Sequence, residues 1–150
     1  MVGDWIRFAD TDSVPERYRS LAVKVLDSHA DGSIRVYLGD KQDCYDYWSK
    51  DGSAFVPIPI TEELLLDNDF TCTRYVSYHM NCEPPVRHHA YSLLLKNGEK
   101  VATVDFAEGK LEEVELFVGG GHFLDKNTRY LHQLQHIFLF MQLCFTFKVR

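Results

Sequence analysis

The stretch from Arg129 to Leu143 constrains the fold more than any other, because no other segment is long and apolar enough to form a core helix. Within it Tyr130, Leu134, Ile137 and Met141 recur at i, i+4, i+7 and i+11, and Leu131, Phe138 and Phe140 widen the apolar stripe. A helix with so little polar surface in its second half must be covered nearly all round. Asp125, Asn127 or Thr128 can accept hydrogen bonds from the free N–H groups of its first turn, with Gly119-Gly120-Gly121 as a flexible joint before it. Past the helix, Phe145, Phe147 and Val149 alternate with Thr146 and Lys148, a period of two that predicts a short final strand.

At 150 residues and 45% hydrophobic content the chain can bury roughly two thirds of its unfolded surface in a core. The formal net charge of −6, with acids clustered at Glu112, Glu113 and Glu115, argues against direct nucleic-acid binding. A backbone binder needs a basic face to release counterions, whereas an acidic surface favours solubility and a basic protein partner. Neither a cationic start followed by an apolar run and a cleavage site nor a membrane-length apolar stretch is visible. The four cysteines lie far apart with no C-x-x-C pair, which fits reduced thiols and a cytoplasmic location better than a disulfide framework.

Taken in order, Val2 to Phe8 alternates well enough for a first strand. The runs Leu21 to Leu26 and Ser33 to Leu38 flank Asp31-Gly32, which supplies the positive backbone angle of a hairpin turn. An aromatic run, Tyr45 to Trp48, and a short strand, Ala54 to Val56, complete the pattern of a small SH3-like barrel or meander. Prolines 57 and 59 then break the sheet, and Thr61 caps a short helix that opens with Glu62 and Glu63 and ends near Asn68. Strand-like runs from Thr71 to Met80, Tyr91 to Lys96, Glu99 to Asp105 and Leu111 to Val118 follow, with Asn97-Gly98 as the strongest hairpin signal. The expected fold is therefore α+β: an SH3-like β sub-domain over 1–57 and a linker with a short helix over 58–70. An antiparallel meander covered by the C-terminal helix, with its short final strand, follows over 71–150. The two halves could equally share one compact domain.

At three points, Val2 to Arg7, Pro57 to Asn68 and Arg129 to His136, the chain resembles a family of small proteins of uncharacterised function found in Bacteroides-type genomes and their phages and prophages. The His-Gln-Leu-Gln start of the helix is the most specific element. Where the family usually has glycine after the Asn68 position, this chain has Asp69. The resemblance implies an α+β fold and a phage or mobile-element origin, and it carries over no activity and no residue roles.

Three sets of residues invite chemistry. His79, Cys82, His88 and His89 offer borderline and soft ligands around a turn that could gather them on one zinc ion, although their spacing matches no established finger. His132 and His136, four apart on one helix face, have the spacing of two zinc ligands, but Gln133 stands where a metalloprotease helix carries glutamate. With Gln133 and Gln135 they read instead as the polar edge of a mostly buried helix, bonding a neighbouring strand or loop, or as a partner-binding edge. Tyr45, Tyr47 and Trp48 beside Asp43 and Asp46 could line an aromatic cage for a cationic ligand, except that alternation sends Trp48 to the opposite face from the two tyrosines. Hydrolase and nucleotide-binding signatures are absent.

These features point first to a non-catalytic protein-interaction module without a cofactor, of phage or mobile-element type, for example an anti-defence or host-interaction factor. The alternatives are a zinc-binding domain or zinc-dependent enzyme built on His79, Cys82, His88 and His89, and a ligand reader built on the N-terminal aromatics. A protein partner is expected, its identity open; the aromatic helix and terminal strand could also complete a homodimer.

Overall fold

Short alternating strands dominate the chain, and in the computed structural model they form two antiparallel five-stranded sheets with two α-helices. The structure describes residues 1–38, 45–80 and 83–150, with the backbone alone at 45 and 46. The fold class is α+β, and no helix among the described residues is long and apolar enough to cross a membrane. The chain divides into two units: Met1–Pro59 with Tyr130–Ile137 and Val149–Arg150, and Ile60–Arg129 with Phe138–Lys148. Unlike the boundaries expected at 57 and 70, the division passes through the C-terminal helix.

In the first unit, β1 (Trp5–Phe8), β2 (Ala22–Ser28), β3 (Ile34–Leu38), β4 (Tyr45–Ser49) and β5 (Phe55–Pro57) lie in the order β4-β3-β2-β1-β5. The β2–β3 hairpin turns at Gly32, whose φ of 86° suits a residue without Cβ. Alternation buries Val23 and Val25 and leaves Lys24 exposed, and the inward face collects Phe8, Val14, Tyr18, Val36 and Leu38. Phe8 is the centre of this core: its ring lies 4.8 Å from Phe55, 5.1 Å from Tyr47 and 5.7 Å from Tyr18.

The second helix, α2 (Leu131–Phe140), enters this unit at its first turns. Leu131 N–H donates to Ile58 O, Trp5 N–H donates to Gln135 Oε1, and Leu131 and Leu134 are buried. Its N-terminus is capped by Gln133, whose Oε1 accepts the Tyr130 N–H, half of a capping box. Asp125 and Thr128 close the preceding turn instead of capping the helix: Asp125 accepts from Asn127 N–H and Thr128 Oγ1, which holds its carboxyl below the usual range.

The second unit begins with α1 (Glu62–Leu66), where Thr61 Oγ1 accepts the Leu64 N–H at 3.2 Å. Phe70 N–H to Leu65 O and Asp69 N–H to Leu66 O give the paired bonds of a Schellman ending, and Asp69 adopts the left-handed φ of 64° that this ending requires. The turn is thus made with aspartate, not glycine, at the left-handed position. Then β6 (Thr71–Ser77), β7 (Val86–Leu94), β8 (Lys100–Ala107), β9 (Lys110–Val118) and β10 (Gly121–Asp125) form a meander paired strictly in sequence.

Two expectations are corrected here. Gly119 and Gly120 are not a joint before the helix but the positive-φ pair of a two-residue hairpin, and Gly121 opens β10, a strand absent from the expected meander. The expected final strand does not form. Phe145 and Phe147 owe their period of two to an aromatic cluster with Phe70 and Phe138, at ring separations of 4.8–6.5 Å. The backbone of Lys148 is satisfied by a side chain rather than a ladder: it donates to Asn68 Oδ1 at 2.7 Å and accepts from Asn68 Nδ2 at 2.9 Å.

Candidate functional site

The meander has one apolar and one polar face, and its register decides which side chains share each. Tyr91, Leu93, Ala102, Val104, Phe106, Val114 and Leu116 are buried on the first. On the second, the pairs Tyr75↔His88, Thr73↔Ala90↔Asp105↔Glu113 and Ser92↔Thr103↔Glu115 set polar groups from four strands side by side. They line a cleft of about 280 Å³ bounded by Thr73, Tyr75, Ser92, Thr103, Asp105, Glu113 and Glu115, with Lys100 as the one cation on its wall among the described residues.

At one end of this face a chain of hydrogen bonds crosses three strands. His88 is buried; its Nδ1 lies 2.7 Å from Asp105 Oδ2 and its Nε2 2.8 Å from Ser77 Oγ. A carboxylate can only accept, so Nδ1 carries a proton and donates to Asp105, and in the neutral ring Nε2 accepts the Ser77 hydroxyl. Tyr75 lies flat on the imidazole, rings 4.4 Å apart and 6° from parallel, and its hydroxyl donates to the same Asp105 Oδ2 at 3.1 Å. Burial, reinforced by the negative charge of Asp105 and then of Glu113 and Glu112, pushes the Tyr75 hydroxyl up to about 12, so it stays a donor throughout the physiological range.

Asp105 itself is 6% exposed, and its Oδ1 is buried without a hydrogen-bond partner among the described residues. A bare carboxylate oxygen in that setting costs free energy unless something positive meets it. Glu112 approaches from a β-bulge. Asp105 pairs with Glu113 and Phe106 with Leu111, so Glu112 is the extra residue of β9, and the bulge re-aims it toward the site. Ligand atoms of His88, Asp105 and Glu112 lie within 4.8 Å of one another, the one such grouping among the described residues.

The residues singled out from the sequence fall in different places. His88 and His89 do not share a site. As neighbours on a strand they face opposite ways, and His89 Nδ1 meets Glu62 Oε1 of α1 at 3.1 Å. His79 is exposed beyond the end of β6, and Cys82 lies outside the described residues. Tyr47 packs edge-on to Phe8 in the first unit's core, whereas Trp48 is on the outer face, stacked on His29 at 5.5 Å with the Arg35 guanidinium 5.9 Å from its ring. The side chain of Tyr45 lies outside the described residues. No cage forms from Tyr47 and Trp48.

On α2, Gln135 bonds Trp5 N–H and Gly3 O, His136 Nε2 sits 2.9 Å from Asp4 Oδ1, and Gln133 caps its own helix. These three side chains are engaged within the first unit. His132 stacks on Tyr130, its buried Nδ1 lacks a partner among the described residues, and burial lowers its pKa, with Asp4 partly opposing. Tyr75, Ser77 and Asp105 were not singled out from the sequence, and Glu112 stood out there only as one of the clustered acids. Thr103 and Asp105, polar at a period of two within an otherwise apolar run, are the one local sign of the polar face. No family model, curated protein or solved structure matches the chain.

Proposed function

We propose that the protein is an interaction module whose second unit takes a cationic group of a basic protein partner into the acidic cleft. The observation that carries this reading is Asp105 Oδ1, buried and unpartnered among the described residues, with Glu112 close by and Glu113 and Glu115 on the cleft wall, where Lys100 is the one cation among the described residues. A lysine or arginine side chain would supply donors to an oxygen that now lacks them, and charge-assisted bonds of this kind contribute about 1.5–3 kcal/mol each. Calorimetric titration with an oligolysine peptide at low and high salt tests it. Binding that weakens with salt and falls about tenfold in Glu113→Gln is the expected result. No binding to wild-type protein at low salt would refute it.

A second reading has its own observation. His88, Asp105 and Glu112 offer three nitrogen and oxygen ligands within 4.8 Å, a set suited to zinc or another divalent ion. Elemental analysis of the purified protein decides it, with one equivalent of metal lost in Glu112→Gln as the supporting result and a stoichiometry unchanged by that substitution as the contrary one. For the first unit we propose an SH3-like small barrel, supported by the antiparallel pairing of β5 with β1 in the order β4-β3-β2-β1-β5.

A further inference from the structure

We propose that Ser77, His88 and Asp105 form a nucleophile, a general base and an orienting carboxylate competent to hydrolyse small esters, an activity beyond cation binding and independent of it. Nucleophilic catalysis by a serine needs a base within hydrogen-bond reach of the hydroxyl and a third group that fixes the base's tautomer. Both contacts are in place, at 2.8 Å and 2.7 Å. Stacking on Tyr75 fixes the plane of the imidazole, and the two hydrogen bonds fix its rotation within that plane. The ring therefore has one orientation, which is what a base that must return its proton to a defined atom requires.

Accessibility is graded in the useful direction. His88 and Asp105 are buried, whereas Ser77 is half-buried at the last position of β6, an edge strand of its sheet. Farther along the same face Ser92 and Thr103 also bond across strands, at 2.9 Å, but both are buried hydroxyls bonded to each other. That pair is structural; the Ser77 pair ends on a base. Metal binding is the competing use of His88, and it would cost one of the two hydrogen bonds its ring nitrogens already make.

In the step itself, the Ser77 Oγ–H proton passes to His88 Nε2 as Oγ bonds to the ester carbonyl carbon. The bond from that carbon to the alcohol oxygen then breaks, and the departing oxygen takes the proton from Nε2. Water repeats the sequence on the acyl-serine, gives its proton to Nε2, and releases the acid as Oγ recovers a proton. Asp105 accepts the Nδ1–H bond throughout. With nucleophile and base assigned but no oxyanion donors, the expected gain is that of assisted attack alone, about 10²–10⁴-fold over buffer.

The test uses the full chain with p-nitrophenyl acetate, followed by peptide mass spectrometry, and in parallel with a fluorophosphonate ester. Expected are a burst of about one equivalent of nitrophenolate and an acetyl or phosphonyl group on Ser77, both lost in Ser77→Ala and slowed at least a hundredfold in His88→Gln. Because His88→Gln removes a buried ring and can unfold the sheet, Ser77→Cys gives a second readout. Its thiol should alkylate with iodoacetamide faster than Cys72 and Cys144, which are exposed and free. Labelling confined to lysines or to His88, a burst unchanged in Ser77→Ala, or a thiol at 77 no faster than Cys72 and Cys144 would overturn the proposal.

Discussion

Asn68 is 2% exposed, and its side-chain amide makes every bond its position allows: Nδ2 donates to Leu64 O at 2.8 Å and Lys148 O at 2.9 Å, while Oδ1 accepts Lys148 N–H at 2.7 Å. It joins the end of α1 to the segment after α2, in place of the strand pairing that segment lacks. At about 0.5–1.5 kcal/mol net per bond, three bonds contribute about 1.5–4.5 kcal/mol. Asn68→Ala should cost that much, read at the amide that reports the joint directly, by native-state hydrogen exchange of the Lys148 N–H. Asn68→Asp is the sharper perturbation. It keeps the acceptor for Lys148 N–H but turns an oxygen toward two carbonyls, so the buried carboxyl is pushed above its unfolded value. The sign follows: the folded state prefers the protonated acid, so this variant is least impaired below the unfolded carboxylate value of about 3.9 and loses stability as pH rises through the folded one. If Lys148 exchange stays within about 0.5 kcal/mol of wild type in Asn68→Ala, or Asn68→Asp shows no added loss between acid and neutral pH, the satisfied amide is not what holds this segment.

Two further outcomes follow from the backbone and from the first unit. Asp69→Gly should stabilise by about 0.5–1 kcal/mol, seen as a higher thermal midpoint, because glycine adopts the left-handed φ of 64° without the Cβ conflict. For His132, burial lowers the folded pKa below the ordinary 6.5, Asp4 opposes and His136 reinforces. The unfolded chain then binds the proton more readily, so the stability contributed by the neutral ring is complete above about pH 6.5 and is lost as pH falls toward the folded value. Thermal melts of wild type and His132→Gln from pH 8 to 5 should diverge only in that acidic part of the range, with the variant the flatter of the two.

Where local chemistry determined local structure, the sequence was a good guide. Asp31-Gly32 and Asn97-Gly98 mark real hairpins, Thr61 caps α1, and adjacency alone separates Tyr47 from Trp48; the same alternation divides His88 from His89, which the expected zinc set had placed together. The failures share a cause: a pattern with two physical origins. Three glycines read as a loose joint hide a two-residue turn that needs positive φ at only two of them. Phenylalanines at 145 and 147 have strand periodicity, but they serve an aromatic cluster. The Ser77–His88 contact was illegible because the connection between β6 and β7 has no turn signal that sets register, and register is what makes Tyr75 the partner of His88. Asp105 was visible as a polar interruption of β8, but its meaning depended on strands on either side.

The bulge on β9 also says something about how such a face can change. Because Glu112 is a supernumerary residue, its removal would leave Phe106 opposite Leu111 and Asp105 opposite Glu113, a continuous ladder with both faces still correctly sorted. A single-codon deletion would thus subtract one carboxylate from beside His88 and Asp105 and leave the apolar side of the sheet unaltered, and a single-codon insertion could have added it. The acidity of the polar face is in this sense modular: it can be tuned by chain length at one position, separately from the substitutions that maintain the core.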